Sequence, residues 1–149
     1  MCEFCEIINK TRSAHMVHES ANTMTFLSLD PINEGHVLII PKLHEASIHK
    51  IPIAIITEIM GIAQNIVAAM ERIYPMYGYT IMQNGGQCCE YGHFHVHVFP
   101  RYDKDGFDWL WPEGTFEYSQ RVADQLAVAM NETKEDVMEN VIEELEGSK

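Results

Sequence analysis

Positive charge is scarce in this sequence, and the shortage excludes one large class of partner. Ten lysine and arginine residues stand against 22 aspartate and glutamate residues, which gives a net charge of −12 at pH 7. A surface that neutralises the phosphates of DNA or RNA needs the opposite balance. We therefore expect no nucleic acid polymer among the partners. A small anionic substrate remains compatible, because a few local donors suffice to hold it.

Two kinds of apolar segment are also missing. The chain begins MCEFC, without the basic and apolar regions of a signal peptide, so we expect a cytoplasmic protein. The longest apolar stretch, at about 51–70, is interrupted by Pro52, Glu58 and Gln64, so we expect no membrane span. Four cysteines in such a chain are expected to be reduced, and a Cys-x-x-Cys pair then suggests metal or redox chemistry.

The pattern of apolar residues predicts one α+β domain over residues 1–149, since 46% of the residues are hydrophobic and the length suits a single core. Apolar residues at helical spacing predict a helix at about 52–74, and a second helical segment covers about 118–146 with a weak capping signal at Thr133. Short alternating or β-branched runs predict strands at 23–29, 36–40, 79–83 and 93–99. Strands and helices without regular βαβ alternation favour a mostly antiparallel sheet.

Three histidines carry the strongest chemical signal. His93, His95 and His97 alternate with apolar residues in the run HFHVHVF, and side chains two apart in a strand share a face. The imidazoles therefore line one face, while Phe94 and the two valines can enter the core. Each imidazole needs a partner for its polar nitrogens, so three together are costly as filler.

Three interpretations of this histidine face remain open from the residues alone. Imidazole is a competent nucleophile toward phosphorus at neutral pH, and a neighbouring imidazole can protonate a leaving group or stabilise phosphoryl oxygens. Three histidines are also the ligand set of some catalytic zinc sites. The plainest alternative is a strand with exposed histidines.

The segment HFHVHVFPR at 93–101 resembles the signature of the histidine-triad (HIT) family. The segments CEFCEII, GHVLIIPKLH, YTIMQNG and DGFDWLW follow the order and spacing of the bacterial HIT-like hydrolase branch, so the resemblance covers about residues 2–111. It implies the HIT-like fold, a five-stranded antiparallel sheet with flanking helices, and a homodimer in which two sheets join into ten strands. It also implies a small nucleotide substrate that is cleaved through a nucleotidyl-histidine intermediate.

The resemblance also implies roles for individual residues. It makes His95 the nucleophile, His97 the partner of the phosphate or leaving group, and Asn84 a phosphate-pocket residue. Ser28 stands where the family often has an aspartate that holds the ribose hydroxyls, and Asp30 follows two residues later.

The loop before the triad departs from the family in a second way. Cys88-Cys89-Glu90 replaces a Gly-Gln-Ser-type phosphate segment, and Gln87 is the residue that can reach the pocket instead. The carboxylate of Glu90 near a phosphate would be repulsive.

Cys2, Cys5, His44 and His93 match a structural zinc site of some family members. Two thiolates and two imidazoles form a sensible tetrahedral set. The alternative is a reduced cysteine pair at a frayed terminus.

The leading hypothesis is thus a hydrolase of a nucleotide phosphoanhydride or phosphoramidate. The main rival is a non-catalytic nucleotide-binding or regulatory protein, which Ser28 and Glu90 favour. A metal-dependent hydrolase that uses the triad as ligands is third. The remaining histidines are interpreted as surface or core residues, namely His15, His18, His36 and His49.

Overall fold

The computed structural model describes residues 2–114, 116 and 119–146, with side chains described as far as residue 133. The chain forms two units, Met1–Phe107 and Asp108–Lys149, and each is described by itself. The expectation of one domain over residues 1–149 stays a prediction.

The first unit is built on a five-stranded sheet in which every neighbouring pair is antiparallel, as the sequence and the resemblance predict. In spatial order the strands are β1, β2, β3, β5 and β4. Their bounds are β1 Met16–Glu19, β2 Thr23–Leu27, β3 Val37–Pro41, β4 Gly78–Met82 and β5 Val96–Arg101. The helices are α1 Glu3–Ile8, α2 Ile53–Ile73 and α3 Gln120–Glu146. Short 3-10 helices cover Ile48–Lys50 and Gly86–Cys88.

Helix α2 covers one face of the sheet. It begins after Pro52, and it ends at Tyr74, which is extended because the following Pro75 disfavours a helical residue before it. Its buried stripe follows helical spacing and packs on apolar side chains of β3 and β5. The core cluster consists of Val37, Ile39, Ile51, Ile59, Ala63, Met70, Phe94, Val96 and Val98.

Helix α2 is also long and apolar enough to cross a membrane by length and composition alone. It packs on the sheet through one stripe, in which Ile59, Ala63 and Met70 are buried. Glu58, one of the residues that interrupt the apolar run, accepts hydrogen bonds from Asn22 at 3.1 Å and from Thr23 at 2.8 Å. The hydroxyl of Ser20 also donates to Glu58, and these bonds, that of Ser20 above all, hold the pKa of Glu58 below its usual value. They connect α2 to the turn between β1 and β2.

Helix α1 lies on the opposite face of the sheet, where it forms a second apolar cluster. This cluster consists of Phe4, Ile7, Met24, Phe26, Leu38 and Ile40. Since side chains alternate along β5, Val96 and Val98 enter the α2 core while His95 and His97 emerge on the α1 face. The triad therefore meets α1 and not α2.

Two features of the fold differ from the sequence pattern. The run predicted as a strand from residue 93 pairs in the sheet only from Val96, because Phe94 N–H donates instead to the carbonyl of Glu45 at 2.6 Å. Helix α3 continues through Thr133, whose hydroxyl donates to carbonyls of the preceding turn and does not start a new helix. Residue 118, the predicted start of that segment, lies outside the described residues.

Candidate active site and metal centre

Four predicted metal ligands meet where α1 begins. The sulfur of Cys2 lies 3.5 Å from Nδ1 of His93, and the sulfur of Cys5 lies 3.2 Å from Nδ1 of His44 and 3.8 Å from that of His93. The two Nδ1 atoms are 3.3 Å apart. Tetrahedral zinc, with bonds of about 2.3 Å to sulfur and about 2.0–2.1 Å to nitrogen, separates its ligand atoms by roughly 3.3–3.8 Å. The four side chains therefore fit a tetrahedral zinc ion.

The orientation of His93 also suits a metal ligand. Its Nε2–H donates to the carbonyl of Pro41 at 2.9 Å, which leaves the lone pair of Nδ1 directed at the cysteines. Burial lowers the pKa of His93, so the ring is held in the neutral form that a metal requires. Burial and the adjacent Cys2 thiol raise the pKa of Cys5, and a divalent cation would act in the opposite direction by favouring the thiolates.

A hydrogen bond fixes the tautomer that His95 adopts when its ring is neutral. Its Nδ1 lies 2.8 Å from the carbonyl oxygen of His93. Because a carbonyl only accepts, Nδ1 carries the proton, and Nε2 of the neutral ring keeps its lone pair. This tautomer is the nucleophilic form of the ring at Nε2.

A chain of hydrogen bonds gives His97 the opposite tautomer. The backbone N–H of Ile32 donates to Nδ1 of His36 at 3.1 Å, so the proton of neutral His36 is on Nε2. That Nε2 lies 3.0 Å from Nδ1 of His97, to which it donates. The proton of neutral His97 is therefore on Nε2. The ring centroids of His95 and His97 are 4.7 Å apart. The neutral His95 ring thus has its lone pair on Nε2, and the neighbouring His97 ring has its N–H on Nε2.

Burial keeps this pair of rings neutral. It lowers the pKa of His36 to about 4. Burial, together with the neighbouring His95 and His36, also lowers the pKa of His97 to about 4. Near neutral pH both rings therefore hold the tautomers that their hydrogen bonds assign.

A network at the end of β5 holds the loop that precedes His36. Arg101 donates to the carboxylate of Asp105 at 2.6 and 3.0 Å. Asn33 donates to the same carboxylate at 3.0 Å and to the carbonyl of Pro100 at 2.8 Å. These bonds hold the pKa of Asp105 far below its usual value. They attach the loop before His36 to the strand that carries the triad.

The predicted phosphate-pocket residues lie in the loop after β4. Met82, the last paired residue of β4, lies opposite His97. Asn84 follows two residues after this pair and is partly exposed. Gln87 is exposed in the 3-10 helix Gly86–Cys88. Among the described residues, Gln87 makes no hydrogen bond to His93, His95 or His97.

The predicted ribose residues lie at the end of β2. The backbone N–H of Ser28 donates to the carbonyl of His36 at 2.9 Å, and the Ser28 hydroxyl donates to the carbonyl of Asp30 at 3.2 Å. Burial and, to a smaller extent, the carboxylates of Glu90, Glu3 and Asp30 raise the pKa of Tyr91, whose ring packs on that of His95.

Sequence reasoning missed three residues that contact the triad. His36, which was interpreted as a surface or core residue, directs the tautomer of His97. Phe4 and Tyr91 each pack a ring on His95, with centroids 5.4 Å away in both cases. The period-two pattern His36-Leu38-Ile40 was the available signal for His36, because it continues the face that bears His97. The strand register that brings the two together is a tertiary property.

The three histidines of the triad do not converge on one metal position. Nδ1 of His93 faces the cysteines, Nδ1 of His95 faces a carbonyl, and Nδ1 of His97 faces His36. Within the described residues, the one candidate metal cluster is Cys2, Cys5, His44 and His93. The geometry thus places two histidines with opposite tautomers on one face of an antiparallel sheet, next to a separate cluster of two cysteines and two histidines.

Comparison with known proteins identifies the family of this chain. The HIT domain family model matches residues 9–104. Adenosine 5'-monophosphoramidase HNT1 of Saccharomyces cerevisiae is 37% identical over 114 residues, which cover 74% of this chain and 70% of the yeast protein. The chain belongs to the HIT family.

Solved structures show the same fold. A HIT family protein from Bacillus anthracis has a TM-score of 0.78 and 27% identity, with coverage of 89% of this chain and 96% of that chain. A zinc-bound histidine triad family protein from Mycobacterium smegmatis has a TM-score of 0.66 and 27% identity, covering 76% of this chain and 84% of that chain. The fold predicted from the resemblance is therefore confirmed.

Proposed function

We propose that this protein hydrolyses a phosphoramidate or phosphoanhydride bond of a small nucleotide, and that His95 is the nucleophile. The observation that carries the proposal is the pair of opposite tautomers on the α1 face. His95 offers an unprotonated Nε2, and His97 offers an Nε2–H. A phosphorus centre between them could be attacked by the first ring and hydrogen-bonded by the second.

The proposed reaction has two displacement steps. In the first, the lone pair of His95 Nε2 forms a bond to the α-phosphorus, and the bond from phosphorus to the leaving group breaks. The departing atom takes the bonding electrons and a proton from solvent, while His97 Nε2–H donates a hydrogen bond to it or to a phosphoryl oxygen. In the second, a water oxygen bonds to the phosphorus and the water releases a proton to solvent. The bond from phosphorus to Nε2 breaks, which restores neutral His95 and releases a nucleoside monophosphate.

The name of the yeast relative, an adenosine 5'-monophosphoramidase, supports a phosphoramidate as the first substrate to test. Asn84 and Gln87 are the proposed phosphate-side residues, and Ser28 and Asp30 are the proposed ribose-side residues. Dinucleoside polyphosphates belong to the same reaction class, so they form the second panel of substrates.

The decisive experiment follows monophosphate release from adenosine 5'-phosphoramidate. His95→Asn should abolish release in a protein that stays folded, and His49→Asn, which changes an exposed histidine on the 3-10 helix, should not. Rapid quenching and intact-mass measurement should detect a nucleotidyl adduct on the wild type only. Nucleotide binding without any release by the wild type would favour the rival, a non-catalytic binding protein.

We also propose that Cys2, Cys5, His44 and His93 hold one structural zinc ion. The ligand separations support this, and a related protein has been solved with zinc bound. A closed set of four protein ligands leaves no position for a reactive water, so the ion would stabilise the fold. Zinc thiolates also suit the reducing cytoplasm in which we expect the protein.

Elemental analysis of untagged protein purified without chelator should find one zinc per chain. The double variant Cys2→Ser/Cys5→Ser should lose the metal, and the vicinal pair Cys88→Ser/Cys89→Ser provides a control that removes two thiols elsewhere. Equal zinc content in the two double variants would refute the site.

A homodimer is the third proposal, and the surface of the edge strand β4 supports it. Ile81 pairs with Val98, so its side chain is on the α2 face of the sheet, yet 37% of Ile81 and 50% of Tyr79 are exposed. The exposed side chains of Tyr79 and Ile81 form an apolar surface along the edge strand, which a second copy of the chain could cover. We expect neither a membrane nor a nucleic acid polymer among the partners.

A further inference from the structure

Helix α1 connects the metal centre to the catalytic face. Cys2 and Cys5 point to the metal cluster, while Phe4, which lies between them in the chain, is buried under the sheet side chains. The Phe4 ring has its centroid 5.4 Å from that of His95 and 4.5 Å from that of Tyr91. A six-residue segment thus reaches both sites.

The ring of His95 is fixed by contacts on its faces and edges as well as by one hydrogen bond. The bond from Nδ1 to the His93 carbonyl sets the tautomer, but a single bond leaves rotation of the ring plane possible. Phe4 and Tyr91 pack against the ring at interplanar angles of 72° and 83°, both near perpendicular. Edge-to-face contacts of this kind favour one ring orientation. They therefore determine where Nε2 points.

Helix α1 has little intrinsic stability of its own. It has six residues, and its N-cap residue, Cys2, makes no side-chain capping bond. Helices this short are marginal in water without tertiary support. Its support comes from burial of Phe4 and Ile7 and from the two cysteines. Because Phe4 lies between Cys2 and Cys5, restraint of both cysteines also restrains Phe4.

We propose that Phe4 and Tyr91 are positioning residues for His95, and that the metal centre fixes Phe4 through α1. The metal centre then acts on the nucleophile through an apolar contact, without supplying any ligand to the substrate. The role of His95 as nucleophile rests on the proposed function. The ordering of the His95 ring by Phe4 can be measured in the absence of any substrate.

The test measures the His95 ring directly by NMR of histidine-labelled protein, loaded with zinc or treated with a chelator. The His95→Asn variant assigns the His95 ring signals by their disappearance. In the wild type we expect one ring-current-shifted set of His95 ring signals, which broadens or moves when zinc is removed. In zinc-loaded Phe4→Leu the His95 signals should move and broaden, because Tyr91 alone no longer holds one ring orientation, and zinc removal should then have little further effect on them.

Phe26→Leu is the matched control. Phe26 belongs to the same buried cluster and packs on Phe4 at 5.7 Å, but its ring contacts do not include His95. It should lower stability while it keeps the His95 shift and the response to zinc. If Phe4→Leu leaves the His95 signals in place, or if Phe26→Leu moves them as far, the proposal is wrong.

Tyr91→Leu provides a second variant, because the half-buried Tyr91 lies in a loop where substitution threatens folding less. It should also displace the His95 signals, and Tyr91→Phe should restore them. In turnover assays the two leucine variants should lose about ten- to hundredfold in kcat with little change in KM, since misorientation of a reacting group has effects of that order. If the wild type turned over no nucleotide, the proposed function would fail, while the NMR comparison would still decide the positioning role.

Discussion

At the residue scale, the site depends on which imidazole nitrogen carries the proton. His95 and His97 are chemically identical side chains two positions apart in one strand. They acquire opposite roles because one donates to a carbonyl through Nδ1 and the other accepts from His36 at the same atom. A change at His36 should therefore alter the chemistry without touching the substrate.

His36→Leu should lower kcat about five- to tenfold, because one net hydrogen bond of about 1 kcal/mol no longer fixes the tautomer of His97. His36→Gln should retain more activity, since its amide N–H can reach the place of Nε2–H. Steady-state kinetics of both variants provide the measurement. If kcat fell equally in the two variants, the side-chain volume at position 36 would matter and the hydrogen-bond donor would not.

The buried neutral histidines should make stability fall in mildly acidic solution. Below the ordinary imidazole pKa of 6.5 the unfolded chain takes up protons, whereas folded His36 and His97 resist protonation until about pH 4. The unfolded state thus binds more protons, and the free energy of unfolding decreases as pH falls through this window. Urea titrations of chelated protein between pH 7.5 and 4.5 should show this slope, reduced in His36→Gln and kept in His15→Gln, an exposed control. An unchanged slope in His36→Gln would contradict the assignment.

Ser28→Asp should tighten binding of a purine nucleoside monophosphate. The substitution places a carboxylate where the chain has a hydroxyl, and charge-assisted hydrogen bonds to ribose hydroxyls are about twice as strong as neutral ones. Titration calorimetry measures the change, with Ser28→Ala as the companion that removes the hydroxyl. Weaker or unchanged binding in Ser28→Asp would indicate that Asp30 already contacts the ribose.

At the element scale, the turn into β3 has a strict steric requirement. Gly35 has φ +90°, and a Cβ there would lie 2.7 Å from the ring of Tyr74 at the end of α2. The next residue is His36, so this turn sets the entry of a catalytic-face histidine into the sheet. Position 35 therefore requires glycine for two reasons, the positive φ and the lack of space for a Cβ beside Tyr74.

Gly35→Ala should lower the free energy of unfolding by about 1–3 kcal/mol, since a non-glycine residue would be strained at this φ and would also crowd Tyr74. Gly61→Ala offers a control within helix α2, where nothing lies within 4 Å of the added Cβ. That variant should gain about 0.5–1 kcal/mol. Urea unfolding of both distinguishes the cases, and a neutral Gly35→Ala would refute the steric argument.

At the scale of the whole molecule, the two edges of the sheet differ in their surroundings. Strand β4 forms the edge beside the triad strand, and β1 forms the other edge. Helix α2 packs over β3, β5 and β2, which leaves the α2 face of β4 less covered. We therefore expect the second copy to bind at β4.

Light scattering at micromolar concentration should give a mass near twice the chain mass of 17.1 kDa. Ile81→Lys should shift the protein to monomer, because a charge would be buried without a partner. Val17→Lys, a matched change of an exposed residue on β1, should remain dimeric. A monomeric wild type would contradict the proposal.

The sequence by itself determined much of the fold, and the family resemblance indicated the four side chains that the structure brings together as a candidate metal cluster. Period-two alternation predicted that the imidazoles of His95 and His97 lie opposite the apolar core, and helical spacing predicted α2. The shortest strand and the shortest α-helix escaped the pattern. Strand β1 has four exposed residues and α1 has six residues, so neither has enough apolar periodicity for recognition.

The tertiary structure alone decided how the histidines divide their roles. Period and spacing place His95 and His97 on one face, but the position of each proton depends on partners that are distant in the chain. His36 is 61 residues from His97, and Phe4 is 91 residues from His95. These contacts arise from strand register and from the placement of α1 on the sheet. Both are set by packing of the whole unit and not by local sequence, which is why the contacts of His36 with His97 and of Phe4 with His95 could not be found from neighbours in the chain.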